Sequence, residues 1–168
     1  PLFQDVRKWS EQHWPENNLR DKLPKAKQTL SPSDFGFHNS LLRSNGTLCF
    51  LDLEYFGWDD PVKLIADFIW HPAMSLSKTQ KKRWLEKSFK IFNDTEQIHQ
   101  RFHAAWPLYG LRWAMILLND FRKDGWEKKI HVDENFEQVR EQKLSRQIDK
   151  ANAVCDLIKF HQMECPYV

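Results

Sequence analysis

Apolar residues at helical spacing dominate the pattern along this chain. Side chains on one face of a helix recur every three or four residues. By that criterion we predict helices over residues 3–14, 61–70, 78–93, 95–121 and 134–160. We expect Pro15 to end the first helix and His71-Pro72 the second. Pro107 and Gly110 are expected to kink or break the fourth.

Short apolar runs interrupt this helical pattern in one place. Residues 40–43 and 48–51 flank Asn45-Gly46, which is the strongest short-range signal for a β-hairpin. We expect loops over residues 31–38 and 55–61, and a loop or a second short helix over residues 15–30. The sequence therefore predicts a mainly α fold with one small embedded β-hairpin, as a single domain over residues 1–168.

Polar side chains stand on either side of the predicted hairpin. Asp34 and Asn39 precede its first strand, and Asp52 and Glu54 follow its second. Because the two strands run out and back, we expect Asn39 and Asp52 to meet, where both could ligate one Mg²⁺. Asp34, on the loop that leads to the same end, could accept the proton of a substrate hydroxyl. In an extended segment Glu54 would face the same way as Asp52, as a second metal ligand or a water-orienting group.

Composition and charge exclude several classes of partner. The chain is 41% hydrophobic and 29% charged, which is typical of a globular protein and argues against disorder. A net charge of +2 without a basic stripe predicts no nucleic-acid partner. No apolar run approaches the ~20 residues of a membrane span, so we predict no membrane partner. Three cysteines without a metal-binding spacing favour reduced thiols and a cytoplasmic location, and argue against zinc.

Residues 31–72 resemble the aminoglycoside phosphotransferase and choline kinase family of small-molecule kinases. Ser33-Asp34-Phe35-Gly36-Phe37-His38-Asn39 is similar to the family's catalytic loop, and Phe50-Leu51-Asp52-Leu53-Glu54-Tyr55 to its metal-binding strand end. The resemblance implies the C-terminal lobe of a protein-kinase-like fold. It implies Asp34 as the catalytic base, and Asn39 and Asp52, with Glu54 behind them, as Mg²⁺ ligands. The implied reaction is transfer of the γ-phosphate of ATP to a hydroxyl of an aminoglycoside-, choline- or sugar-like molecule.

The chain departs from the family pattern at two positions and lacks one part. Pro32 stands where the family has His, and Leu64 where it tends to have Asp, whose bracing role Asp67 could take over one turn later. The family's Gly-rich loop and strand Lys belong to an N-terminal lobe, and no Gly occurs before Gly36. We therefore expect this chain to be the C-terminal lobe of a longer kinase, inactive without its N-terminal lobe.

Two groups of residues are candidates for contacting the substrate. Asp59 and Asp60 would suit an amine, although carboxylates just before Pro61 chiefly predict capping of the helix that follows. Trp106, Tyr109 and Trp113 share one helix face and could hold a quaternary ammonium by cation–π attraction. Aromatic rings at this spacing are more often part of a core.

Two other hypotheses remain open from the sequence. One is a catalytically inactive, pseudokinase-like binding or scaffold domain. The other is a helical interaction domain with an accidental Asp-rich loop, in which the side chains of Asp34, Asn39 and Asp52 point apart.

Overall fold

Five α-helices make up most of what the computed structural model describes, which is residues 1–15, 19–92, 95–122 and 136–168. They are α1 (Leu2–His13), α2 (Pro61–Trp70), α3 (Lys78–Ile91), α4 (Glu96–Leu117) and α5 (Phe136–Phe160). Short 3₁₀ helices cover Lys25–Lys27, Phe37–Asn39 and Leu118–Phe121. The predicted mainly α fold is confirmed. The helix predicted over residues 61–70 has those ends, and the other four are present with ends that differ by a few residues, apart from positions 93, 134 and 135, which lie outside the described residues.

The starts of three helices follow from local capping chemistry. At α2, the Asp60 side chain accepts the backbone N–H of Val62 at 2.8 Å, and proline occupies the first turn. Ser77 and Gln80 form a reciprocal capping box at α3, and Thr95 caps α4. The prediction that Asp60 caps the helix after Pro61 is confirmed.

Helix α4 continues through its internal proline, so of the predicted kink or break the break is wrong. Pro107 has no N–H to donate within the helix, which weakens that turn. Burial compensates, because Trp106 and Pro107 are both fully enclosed by neighbouring elements. The indole N–H of Trp70 also donates to the Trp106 carbonyl at 3.1 Å, which joins α2 to α4 at this turn.

Four short strands in the described part of the chain form two separate antiparallel pairs. The predicted hairpin is confirmed as β2 (Ser40–Leu42) with β3 (Leu48–Phe50), and Gly46 takes a φ of 81° in its turn. A second pair joins β1 (Thr29–Ser31) to β4 (Gly57–Asp59), with Leu30 opposite Trp58. The sequence did not predict β1 and β4, which lie where loops were expected, because three-residue strands show no alternating pattern. Over residues 15–30 a loop or a second short helix was expected, and the short 3₁₀ helix Lys25–Lys27 lies there, while residues 16–18 lie outside the described residues.

The core lies between α4 and the helices packed around it. Helices α1, α2 and α5 contact α4 along its length, and α3 covers α2. The largest fully buried side chains include Val6, Ile65, Leu85, Phe102, Trp106 and Ile158. Helix α2 is buried on almost every side. Its packing therefore fixes the positions of the residues that flank it, Asp60 at its start and His71 at its end.

Two further findings bear on the composition. Among the described residues, no helix combines the length and the apolar character needed to cross a membrane. Cys49, Cys155 and Cys165 are free thiols, as expected from their number and spacing.

Candidate functional site

Asp34 lies in a tight loop between β1 and β2. The backbone of Ser33 adopts a φ of 63°, and its N–H donates to the Ser31 hydroxyl at 3.1 Å. The N–H of Asp34 in turn donates to the Pro32 carbonyl at 2.8 Å. These bonds leave the Asp34 side chain 42% exposed, so a substrate in solution can reach it.

Asn39 contacts Asp34 directly. Its side-chain N–H donates to the Asp34 carbonyl at 3.0 Å and to Oδ2 of the Asp34 carboxylate at 3.3 Å. The hypothesis that the side chains of Asp34, Asn39 and Asp52 point apart is therefore wrong for Asp34 and Asn39. With its amide nitrogen engaged, Asn39 keeps its amide oxygen as the group that could bind a cation.

Asp52 follows the other strand of the hairpin. The N–H of Leu51, just before it, donates to the Asn39 carbonyl at 2.8 Å, so the two ends of the hairpin are joined here. Asp52 itself has a φ of 55°, in the left-handed region that few residues other than Gly adopt and that Asp tolerates. The premise of an extended segment from Asp52 to Glu54 is thus wrong, since the chain turns at Asp52.

Glu54 belongs to the turn closed by the Phe56 N–H on the Leu53 carbonyl, at 3.0 Å. A hydrogen bond to Glu54 and the charge of that carboxylate raise the pKa of the Tyr55 phenol above its usual range. Partial desolvation, Asp52 and Asp34 add smaller effects of the same sign. The three carboxylates therefore act on one hydroxyl, and they concentrate negative charge at this end of the hairpin.

Two histidines surround the Asp34 carboxylate. Nε2 of His38 lies 3.0 Å from Oδ1 of Asp34, and Nε2 of His71 lies 3.6 Å from the same oxygen. The two rings stack with centroids 4.0 Å apart and planes 9° from parallel. Burial, helped by the positive charge of His38 and opposed by Asp34, lowers the pKa of His71 to about 4. His71 is therefore neutral at pH 7.

Asp34, His38 and His71 form the one group of possible metal ligands, in the described parts of the chain, whose ligand atoms all lie within 4.8 Å of one another. The lone pairs of an imidazole lie in the ring plane, so two nearly parallel stacked rings cannot both direct one at a single ion. The Ala73 N–H donates to Nδ1 of His71 at 3.1 Å, which places the proton of the neutral ring on Nε2. This arrangement suits hydrogen bonding to Asp34 better than metal coordination.

A pocket of about 470 Å³ contains three of the candidate substrate residues, Asp59, Asp60 and Tyr109. Asp59 pairs with Lys63, and Asp60 pairs with the buried Arg101. Burial, followed by repulsion from Asp60 and other carboxylates, raises the pKa of the Tyr109 phenol. Since both carboxylates already have cationic partners, neither offers an uncompensated charge to an amine.

Trp106 and Trp113 are core residues, 1% and 8% exposed. These two rings therefore belong to the core, which is the commoner outcome for aromatic residues at this spacing. Of the three aromatic candidates, only Tyr109 lines the pocket just described. The indole N–H of Trp113 donates to Oδ1 of Asp67 at 3.0 Å.

Asp67 joins α2 to α4, as expected of a residue that braces the helix. Its carboxylate accepts two bonds from one guanidinium nitrogen of Arg112, at 2.6 and 2.7 Å, and one from Trp113. Burial nevertheless outweighs these donors and raises the pKa of Asp67. Asp67 stands one helical turn before His71, so this network also fixes the end of α2 that faces Asp34.

Sequence reasoning missed both histidines as site residues. His38 had a local signal, because it lies four residues after Asp34 on a short turn. His71 had none, since it reaches Asp34 only through the packing of α2. No model of a known protein family matches this chain, and no curated protein or solved structure does either.

Proposed function

We propose that this chain is the C-terminal lobe of a Mg·ATP-dependent phosphotransferase that phosphorylates a hydroxyl of a small molecule. The observation that carries the proposal is the contact of Asn39 with the Asp34 carboxylate, at the end of a hairpin whose other strand leads into Asp52. The exposed Asp34 carboxylate would serve as the base, and the Asn39 amide oxygen with the carboxylate of Asp52 would serve as a pair of hard oxygen ligands.

The donor set fits magnesium. Mg²⁺ prefers oxygen ligands and shares its coordination with substrate phosphates. In this proposal the Asn39 amide oxygen and the Asp52 carboxylate hold the ion, with Glu54 close by at the following turn. When bound, the ion would neutralise charge on the phosphates of ATP.

Asp34 acts as the base in this proposal. Its carboxylate is exposed, and Asn39 and His38 fix its orientation. It would accept a hydrogen bond from the acceptor hydroxyl and receive the proton as the oxygen–phosphorus bond forms. The N-terminal lobe implied by the resemblance would supply the groups that bind ATP from the opposite side.

For the acceptor, the pocket at Tyr109 supports a neutral polar molecule better than a polycation. Lys63 connects this pocket to the catalytic loop, because its ammonium group binds Asp59 and also donates to the Ser33 hydroxyl at 3.1 Å. With Asp59 and Asp60 both paired, a sugar-like hydroxyl is favoured over an aminoglycoside or choline within the class proposed.

The test is ATP turnover by the protein expressed together with its native upstream sequence. We expect Asp34→Asn to lower kcat by about 10²–10⁴-fold, the usual contribution of a general base. Asp52→Ala should lower turnover and raise the Mg²⁺ concentration needed for half-maximal rate. Asp156→Asn is the matched control, because this exposed carboxylate pairs only locally with Lys159 on α5.

Turnover like that of the wild type in both Asp34→Asn and Asp52→Ala would refute the assignment. Mg²⁺-dependent nucleotide binding without any phosphate transfer, across a panel of sugars, aminoglycosides and choline, would instead support the pseudokinase-like alternative.

A further inference from the structure

The two oxygens of the Asp34 carboxylate have different surroundings. Oδ1 faces two imidazoles, with Nε2 of His38 at 3.0 Å and Nε2 of His71 at 3.6 Å. Within the described residues, the hydrogen-bond partner of Oδ2 is the Asn39 amide, at the longer distance of 3.3 Å. The 3.0 Å contact is a hydrogen bond, whereas 3.6 Å is too long for one and requires only a small movement to become one. The two carboxylate oxygens are therefore not equivalent before any substrate binds.

The His38 ring has close neighbours in Gly36 and His71. A Cβ at Gly36 would lie only 2.6 Å from Nδ1 of His38, so glycine is what allows the ring to lie against the loop. One face of the ring stacks on His71. His71 in turn packs edge-on against Trp113, with ring centroids 4.4 Å apart. The imidazole next to Asp34 thus rests on the same α2–α4 contact that Asp67 stabilises.

The proton positions agree with this arrangement. The Ala73 N–H occupies Nδ1 of His71, so Nε2 carries the hydrogen that points toward Asp34. Nε2 of His38 lies at hydrogen-bond distance from Oδ1, and an N–H on that nitrogen donates to it. Both rings present donors to one oxygen, which reduces that oxygen's capacity to accept a further proton donor.

We propose that His38 and His71 are positioning residues that hold Oδ1 of Asp34 and so direct Oδ2 toward the acceptor hydroxyl. This inference rests on the proposed function, because it assigns a geometry to the base of that reaction. His38 acts by direct hydrogen bonding. His71 acts by supporting the His38 ring and by closing the second side of Oδ1. Neither ring takes up the proton that Oδ2 accepts.

The test is steady-state kinetics of the protein with its native upstream sequence, in four histidine variants. His38→Leu and His71→Leu remove the donors, while His38→Gln and His71→Gln keep an N–H near the position of Nε2. We expect the Leu variants to lose between about 10-fold and 100-fold in kcat, the range for a misplaced catalytic group. The KM for ATP should change less than about twofold, because the histidines do not bind ATP. His38→Gln should recover most of the lost kcat.

Gly36→Ala provides an independent variant that leaves both histidines in place. Gly36 has a φ of 175°, which alanine adopts without strain. The added Cβ would lie 2.6 Å from Nδ1 of His38 and 2.6 Å from Sδ of Met74, so the His38 ring, the Met74 side chain or both must shift. We expect kcat to fall here as in His38→Leu. His161→Leu, which alters a histidine near the end of α5, is the control.

The outcomes separate this inference from the function on which it rests. If Asp34→Asn abolishes turnover while His38→Leu, His71→Leu and Gly36→Ala all keep kcat within about twofold of the wild type, the positioning role is wrong and the function stands. If Asp34→Asn turns over normally, the proposed function fails and the positioning role fails with it. An equal loss of kcat in His38→Leu and His38→Gln would also overturn the inference. If His71→Leu does not fold, His38→Leu and Gly36→Ala decide the question.

Discussion

Replacing Gly110 by alanine should destabilise this protein, although alanine is the better helix former. Gly110 lies within α4 where α2 and α5 approach it most closely. A Cβ there would lie 2.8 Å from Cδ1 of Ile158 and 2.8 Å from Cζ2 of Trp70. Both neighbours are buried, and the Trp70 indole is fixed by its hydrogen bond to the Trp106 carbonyl. Neither can move aside without disturbing the core.

The magnitude follows from two opposing effects. The change from Gly to Ala within a helix contributes about 1 kcal/mol of stability. Overpacking in a well-filled core costs about 1–3 kcal/mol, and contact with two enclosed side chains favours the upper part of that range. We expect a net loss of about 1–2 kcal/mol in the free energy of unfolding.

Urea unfolding followed by far-UV circular dichroism measures this directly. With a urea m-value of about 2 kcal/mol per M, the midpoint should fall by about 0.5–1 M. Gly57→Ala is the control, because a Cβ at that position meets nothing closer than the Tyr55 carbonyl oxygen at 4.0 Å. Ile158→Val removes the contacted methyl, so its effect combined with Gly110→Ala should be smaller than the sum of the two. A midpoint for Gly110→Ala equal to or above that of the wild type would refute the reasoning.

Three further predictions concern helix ends and pH. Asp60→Ala removes the α2 cap and leaves the buried Arg101 without that carboxylate, so the free energy of unfolding measured in urea should fall by about 3 kcal/mol or more. Asp60→Asn keeps the cap, so its loss of stability should be smaller. Ser77→Ala removes half of the α3 capping box and should cost about 1 kcal/mol in the same assay, and no change would contradict the cap. The pKa of His71 is about 4 when folded and 6.5 in its unperturbed state, so the unfolded chain binds the proton first and stability should fall between pH 6.5 and pH 4. Urea midpoints at pH 7 and 4.5 should converge in His71→Gln, and an unchanged pH dependence would show that another group is responsible.

Local chemistry explains what could be predicted from the sequence. Asn45-Gly46 specifies its own turn, and Asp60-Pro61 specifies a helix start, so the hairpin and α2 follow from a few adjacent residues. The meeting of Asn39 with Asp34 follows from the same hairpin, because both lie within a few residues of its first strand. In these cases the residues that interact are neighbours in the chain.

Features that depend on long-range packing could not be predicted. The pairing of Leu30 with Trp58 joins strands too short to carry a pattern, so nothing local marks it. The sequence predicts only that His71 ends a helix before Pro72. Its contact with Asp34 depends on how α2 packs in the folded protein. Pro107 was expected to interrupt its helix, and the burial that keeps the helix intact comes from other elements.

The hairpin between Asn39 and Asp52 contributes no fully buried side chain to the core, and its Leu41, Leu42 and Leu48 side chains are exposed. Opening it exposes little new apolar surface, so its amide protons should exchange with solvent through local fluctuations, whereas those of α4 require the whole molecule to unfold. A thermal melting curve therefore reports on the unfolding of the helices and is insensitive to local opening of the hairpin at the candidate site. A preparation can give a cooperative melt and still lack an ordered arrangement of Asp34, Asn39 and Asp52. Amide exchange at residues 39–52 is the appropriate measure of whether that site is formed.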